Sequence, residues 1–274
     1  MFQPAIKWSG SKRSQATNII TYFPKDIDVY YEPFCGGCSV LRALLESSLE
    51  PNSYICSDLN SDLINLWKKI KENPLEITVW YEQLWLELNK DNDLERKKAF
   101  FNQIRQRLNK EHNPLDFMFI MRTTTNGMPR YNQNGEFNNS FHITRHGIEP
   151  ATLEMILNEW SFLLNQYNVE FICCSYEDIT PTTKDFIYMD PPYANTKGMY
   201  FGGFDINNFF TWLRKQSCNY AFSFDGKVND IDCTYNVPID LYTQHIYLDN
   251  GNSSFRRVIG NSTDSVVKES LYVK

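Results

Sequence analysis

The chain has 274 residues, 42% of them hydrophobic and 15% aromatic, enough for one substantial globular core and a smaller inserted lobe. No apolar run approaches the roughly 18 to 20 residues of a membrane span, and Met1 to Arg13 lacks the apolar stretch of a secretory signal. A cytoplasmic protein without membrane attachment is therefore expected. The seven cysteines are an odd number and include the adjacent Cys173 and Cys174, which argues for reduced thiols against a disulfide framework.

In chain order, Ile27 to Glu32 reads as a first strand and Pro33 to Cys38 as a tight turn. Ser39 to Ser48 follows as a helix with Val40, Leu41, Leu44 and Leu45 on one face. Ser53 to Ser57 is a second strand ending at Asp58, and Ser61 to Asn73 a helix stopped before Pro74. This βαβα start predicts a parallel sheet with helices on its faces. From Leu75 to Gly147 the pattern changes: helices over 75–89 and 94–110, then a third capped by Asn113-Pro114 and running to about Arg122. A polar stretch over 123–147 then carries Asn134-Gly135, a hairpin signal when flanked by strand-forming residues. Sheet patterning resumes with a helix over 150–165, strands over 170–174 and 186–189, a helix over 207–216 and a strand over 219–224. Gln244 to Leu248 and Ser270 to Val273 form a candidate closing antiparallel pair. The domain reading is a catalytic domain over 1–74 and 148–274, interrupted by an inserted lobe over 75–147.

The net charge of −6 is unusual for a nucleic-acid binder, but the charge is unevenly spread. Between Arg96 and Gly147 nine Lys/Arg stand against three acids, a surplus of six that leaves −12 for the rest of the chain. Met1 to Lys25 adds four basic residues and no acid. Such a basic face suits phosphates; two ordinary solvated helix faces would look the same.

Two turns carry chemistry. Glu32-Pro33-Phe34-Cys35-Gly36-Gly37-Cys38-Ser39 links a strand to a helix, where small residues let backbone approach a ligand. Asp58 ends the next strand, where a carboxylate accepts both ribose hydroxyls. A nicotinamide enzyme would share these features, although the third glycine of its fingerprint is missing. Cys35-x-x-Cys38 lacks the second pair or the histidine of a tetrahedral zinc site, and no metal is expected.

The second turn, Asp190-Pro191-Pro192-Tyr193, follows a buried strand. An amine attached to an aromatic ring is a poor nucleophile, because its lone pair is delocalised. Hydrogen bonds from its two protons to the Asp190 side chain and the Pro191 carbonyl favour a pyramidal nitrogen. The prolines fix φ and so preorganise those acceptors, and Tyr193 offers a ring to stack on an extruded base. A methyl group can then move in line from a sulfonium without metal or covalent intermediate.

These residues resemble the Dam-type, α-group DNA adenine-N6 methyltransferases, over nearly the whole chain. The resemblance implies a class I, Rossmann-like methyltransferase fold with a mostly parallel sheet and an inserted helical and β-hairpin target-recognition lobe. It implies S-adenosylmethionine as cofactor and double-stranded DNA as substrate, with the target adenine flipped out. Lys7-Trp8-Ser9-Gly10-Ser11-Lys12 resembles the segment around the methionine end of the cofactor, which puts Trp8 on the cofactor and Lys12 on its carboxylate. Phe34 and Gly36 match the cofactor turn, Asp58 the ribose acid, and Asp190, Pro191, Pro192 and Tyr193 the catalytic tetrapeptide, with Asp190 also near the cofactor. Ser253-Ser254-Phe255-Arg256-Arg257 and Glu269-Ser270-Leu271-Tyr272 resemble the closing segment. In the insert, Asn126, Met128, Arg130 and Asn132 resemble the DNA-reading hairpin, and Arg130 is the candidate for a bidentate contact to guanine.

Two departures stand out. Cys38 occupies a position where the cofactor turn often has glycine. Ser140-Phe141-His142 stands where many GATC-reading relatives have Pro-Phe-Gly, so GATC is one option for the recognition sequence and not a settled one. His142 and His146 read as polar surface residues or as contacts to phosphate or base. RNA adenine, cytosine-N4 and a small amine remain alternative targets at this level, and a catalytically silent DNA-binding protein is the reading from another class. Expected partners are duplex DNA and, where the role is restriction-modification, a cognate endonuclease; the protein is expected to be a monomer, with a dimer on DNA left open.

Overall fold

The computed structural model describes residues 2–192, 204–229, 231–252 and 266–274. Tyr193 and Ser253 to Arg257, singled out above, lie outside the described residues. Among the described residues no helix is long and apolar enough to cross a membrane. The chain divides into two compact units. Of the described residues, one gathers 2–11 and 57–174, the other 12–56, 175–192 and those from 204 onward.

The first unit is largely helical and contains the whole of 75–147. Its helices begin where side chains cap them, satisfying backbone N–H groups that a first turn leaves unpaired. Asn60 caps α3 (Ser61–Glu72), accepting from the Leu63 N–H at 3.2 Å. Asn73 caps α4 (Pro74–Asn89), Asp93 caps α5 (Leu94–Glu111) and Asn113 caps α6 (Pro114–Thr123). Proline stands in the first turn of α4, α6 and α7 (Pro150–Gln166), where it sacrifices no helical hydrogen bond. Every residue of α6 from Leu115 to Thr123 is buried, which makes it the core helix of this unit. Its fully buried Asp116 takes a bidentate pair from Arg107 of α5, both contacts 2.6 Å, and a 2.9 Å bond from the Trp80 indole of α4. Trp67 of α3 packs on Trp160 of α7 (centroids 5.0 Å apart) and stacks on Phe171 of β3 (Val169–Cys173) at 5.5 Å.

These helices consume much of the positive charge counted above. Arg96 pairs with Glu87 and Asp91, Lys98 with Glu95, and Arg107 with Asp116. Lys97 is buried against Asn89 and His146, and Arg122 on the Pro4 and Ala5 carbonyls. The surplus is thus not one basic face. Three of the pairing acids precede Arg96 in the chain, so a windowed count overstated what is available to phosphate.

The second unit is built on a sheet. β1 (Val29–Pro33), β4 (Phe186–Met189) and β5 (Asn219–Val228) run parallel, with Tyr30 beside Phe186 and Ile187 beside Tyr220. β8 (Val266–Val273) pairs antiparallel with β5 and with β7 (Gln244–Asn252), and the short β6 (Ile231–Asp232) pairs antiparallel with β5. With β2 (Ser53–Asp58) the order is β2-β1-β4-β5-β8-β7. This mixed α/β sheet, parallel through β1, β4 and β5, agrees with the expected fold class. Buried tyrosines help fill it, and four of them place the hydroxyl on a partner: Tyr30 on Glu32, Tyr188 with Ser223, Tyr220 on the Leu241 carbonyl and Tyr272 on the Tyr235 carbonyl.

The expected strand and helix positions mostly hold within a few residues. The exceptions are α1 (Ala16–Ile19) with a 3₁₀ turn over Ile20–Tyr22, and the outer parts of β5, β7 and β8. The strands continue past the expected ends because a β-bulge between Asp225 and Lys227 restores pairing. Gly226 occupies it, and a Cβ there would collide with the Lys268 carbonyl.

Candidate active site

β1 has β2 on one side and β4 on the other. The chain therefore reverses its winding between β1 and β4, the place where open α/β sheets bind ligands beyond their strand ends. The segments that leave the sheet there are Phe34 to Cys38 after β1 and Asp190 to Pro192 after β4.

Three of the five residues in the first segment are left-handed: Phe34 at φ 63°, Gly36 at φ 46° and Cys38 at φ 50°. Only glycine adopts that region freely, so Phe34 and Cys38 are held there by their surroundings. The Cys38 N–H bonds the Cys35 carbonyl at 2.7 Å, and the Cys38 carbonyl accepts from Arg42 at 3.0 Å to start α2 (Ser39–Leu45). The departure from glycine at Cys38 thus keeps the glycine-type backbone conformation. The Phe34 ring rests against Tyr176 at 5.3 Å and Phe204 at 5.9 Å.

After β4, Asp190 Oδ2 lies 2.8 Å from Lys12 Nζ, which also meets Glu269 Oε2 of β8 at 3.2 Å. Lys12 is only 5% exposed. Its burial alone would lower the ammonium pKa, but the two carboxylates outweigh it and raise that pKa above the ordinary lysine value. Lys12 therefore stays charged. Burial pushes the Glu32 carboxyl up to about 8, against bonds from the Tyr30 hydroxyl (2.6 Å) and the Leu41 backbone. Asp190 adds a repulsive charge in the same direction. Glu32 thus carries a proton at neutral pH. Burial likewise raises Asp225, beside Glu269 across the β5–β8 ladder.

In the first unit, Trp8 lies in a half-buried segment fastened to the turn at Gly127. The Ser9 N–H donates to the Gly127 carbonyl at 2.9 Å, and a Cβ on Gly127, at φ +62°, would sit 2.6 Å from the Lys7 carbonyl oxygen. Asp58 ends β2 and accepts the Asn60 N–H at 3.0 Å. The Asn60 amide donates in turn to the Tyr131 hydroxyl at 2.7 Å.

Tyr131 belongs to the expected hairpin, which forms as isolated bridges: Tyr131 opposite Phe137 and Thr124 opposite Phe141. The loop has three residues rather than the two of the simplest Asn-Gly turn. The Gly135 N–H bonds the Asn132 carbonyl, the Asn132 N–H bonds the Glu136 carbonyl, and Gly135 takes the left-handed position at φ 77°. The Asn132 side chain builds this loop, accepting from Asn134 and Glu136 N–H groups and donating to the Glu136 carboxylate at 2.8 Å. Arg130 is exposed, with its backbone pinned by Asn138 at 2.9 Å. Asn126 is left-handed at φ 58°, and Met128 is half-buried, its carbonyl accepting from Asn139 and Arg130. His142 Nδ1 accepts from the Thr144 and Arg145 N–H groups, so this ring closes a turn in its neutral form.

Within the second unit, Lys12 and Asp190 are brought into contact; within the first, the segments of Trp8 and Asp58 each contact the hairpin lobe. Glu269, Glu32, Asn60 and Tyr131 fall inside segments singled out from sequence, but no role was expected of these four residues themselves. Only Asn60 had a local signal, an asparagine directly before an amphipathic helix.

A strained glycine-type turn and an ion-paired acid before two prolines thus stand at the winding reversal of an α/β sheet, where such sheets bind ligands. The sequence profile described as D12 class N6 adenine-specific DNA methyltransferase matches residues 8–225. The chain belongs to this family. It is 33% identical over 208 residues to the Type II methyltransferase M.MjaIII of Methanocaldococcus jannaschii, covering 70% of this chain and 69% of that protein. It is 30% identical to the Type II methyltransferase M.FokI of Planomicrobium okeanokoites over 77% of this chain, but only 32% of that longer protein. The DNA adenine methylase of Escherichia coli K12 is 29% identical over 69% of this chain and 64% of its own length.

Proposed function

We propose that this methyltransferase acts on a short sequence in duplex DNA, with S-adenosylmethionine held through Trp8, Lys12, Phe34, Gly36, Asp58 and Asp190. The residue types in each unit suit that cofactor: in the first a carboxylate ending β2, and in the second a cation buried beside acids and an aromatic ring on a turn that carries glycine-type backbone. Bound there, S-adenosylmethionine supplies an electrophilic methyl group on sulfur. The observation that carries the catalytic role is the Lys12–Asp190 contact. Lys12 holds the Asp190 carboxylate in place at Oδ2, and that carboxylate accepts a hydrogen bond from one amine N–H. The Pro191 carbonyl accepts a hydrogen bond from the second N–H, and the two prolines hold both acceptors in place. As the methyl group moves from sulfur to nitrogen, the Asp190 carboxylate takes the one proton that the methylated amine sheds. Tyr193 is proposed to stack on the flipped adenine.

Residues 75–147 are proposed as the target-recognition domain. Arg130 projects from the hairpin with its backbone fixed, the arrangement a bidentate guanine contact needs. Asn126 and Met128 flank it on the same arm, while Asn132 contributes by shaping the loop. GATC remains a candidate sequence, and a cognate endonuclease is a proposed partner if the role is restriction-modification. Single-molecule sequencing of DNA from cells expressing the protein tests this reading. N6-methyladenine in one sequence context supports it, and N4-methylcytosine or unmodified DNA refutes it.

A further inference from the structure

Two observations join the proposed cofactor segments to the DNA-reading arm. On one side, Ser9, next to Trp8, bonds Gly127, next to Asn126 and one residue before Met128. On the other, Asn60 bonds the Asp58 side chain through its N–H and the Tyr131 hydroxyl through its side-chain amide. Tyr131 adjoins Arg130. Each link ends one residue from a proposed DNA contact; at its other end Ser9 adjoins Trp8, and Asn60 bonds the Asp58 carboxylate itself.

The second link is the more specific. Asn60 uses its side-chain oxygen to cap α3 through the Leu63 N–H, so its amide hydrogens have one orientation and point one to Tyr131. Tyr131 is also held by its ring, edge-on to Phe137 at 5.6 Å, and Phe137 is anchored in both directions by Asn109. The Asn109 amide donates to the Phe137 carbonyl at 3.1 Å, and its oxygen accepts the Phe137 N–H at 2.8 Å. The hairpin base is therefore fixed to α5 on one side and to the β2–α3 turn on the other. A ligand that orders Asp58 also orders Asn60, and with it the rung of the hairpin that carries Arg130.

We propose that Tyr131 is a positioning residue that couples the two ligands: through Asn60, occupancy at Asp58 sets the hairpin for DNA, and DNA on the hairpin sets Asp58 for the cofactor. The inference rests on the function proposed above. Linkage requires the effect to be reciprocal, with the same factor in both directions.

The test measures the dissociation constant of S-adenosylhomocysteine, by calorimetry on the full chain, with and without a saturating duplex carrying the sequence found methylated in cells. The ratio of the two constants is the coupling factor. Wild type is expected to show a factor well above one. Tyr131→Phe keeps the ring and is expected to cut that factor about fivefold, the net worth of one hydrogen bond, while the constant without DNA stays within about twofold. Asn60→Ser retains a helix-capping oxygen but cannot reach Tyr131, and in that background Tyr131→Phe is expected to change the factor no further. An unchanged factor in Tyr131→Phe overturns the proposal, as does a wild-type factor of one. Failure of S-adenosylhomocysteine to bind the wild type at all instead overturns the function on which it rests.

Discussion

The loop after β4 and the hairpin of the inserted lobe solve opposite problems. At the loop, charge is concentrated and buried: Lys12 sits between Asp190 and Glu269, with Glu32 and Asp225 close enough to feel the same charges. At the hairpin the backbone is what is fixed, by bridges, an asparagine-built loop and Asn109, while Arg130 is left exposed. A group that must accept a proton needs its charge state set by neighbours. A group that must read a base needs a fixed origin and an unencumbered end. Elsewhere in the first unit, by contrast, Arg107 is engaged at both ends of its guanidinium fork by the fully buried Asp116.

The contrast breaks most sharply by removing Asp190. Asp190→Ala is expected to lower the methyl-transfer rate about 10³-fold or more, with duplex affinity within a few fold by fluorescence anisotropy. Comparable losses in rate and affinity would mean that the loop is not a separate chemical site. Asp116→Ala leaves Arg107 without its carboxylate and the Trp80 indole without its acceptor. Urea unfolding should show a loss of about 3 kcal/mol, and a loss under about 1 kcal/mol would mark the pair as a surface-type contact. Arg130→Ala should cost about 1–3 kcal/mol in kcat/KM on the preferred sequence and much less on sequences altered at the base it reads. An equal loss on all sequences would make it a phosphate contact.

The smallest effect is the pH dependence of Glu32. Its folded pKa of about 8 lies above the ordinary 4.5, so the folded protein keeps a proton that the unfolded chain releases between those values. The associated stability is complete in acid and is lost as pH rises toward 8. Glu32→Gln removes that loss. Its gain in Tm should grow from pH 5 to pH 8 and level off above; a gain independent of pH would show that Glu32 is not the titrating group.

What the sequence disclosed follows from how local each feature is. Asp190-Pro191-Pro192 is legible because the acid, the two prolines and the preceding apolar strand are contiguous, and α3, α5 and α6 because cap and periodicity lie within one stretch. Glu269 is 257 residues from Lys12 in the chain, and nothing around it marks it as an ion-pair partner. Tyr131 looks like any hairpin aromatic until Asn60 is placed against it. The outer parts of β5 and β8 escaped notice because Gly226 breaks the alternation at the bulge, and the charge of 96–147 misled because its partners at Glu87, Asp91 and Glu95 lie just outside it.

The most direct test of the central claim is to incubate duplex DNA with labelled S-adenosylmethionine and either wild type or Asp190→Ala, digest it to nucleosides and identify the label by mass spectrometry. The label is expected in N6-methyladenine with wild type and to be absent with Asp190→Ala despite retained DNA binding. Label in another nucleoside, or undiminished N6-methyladenine from Asp190→Ala, would contradict the account.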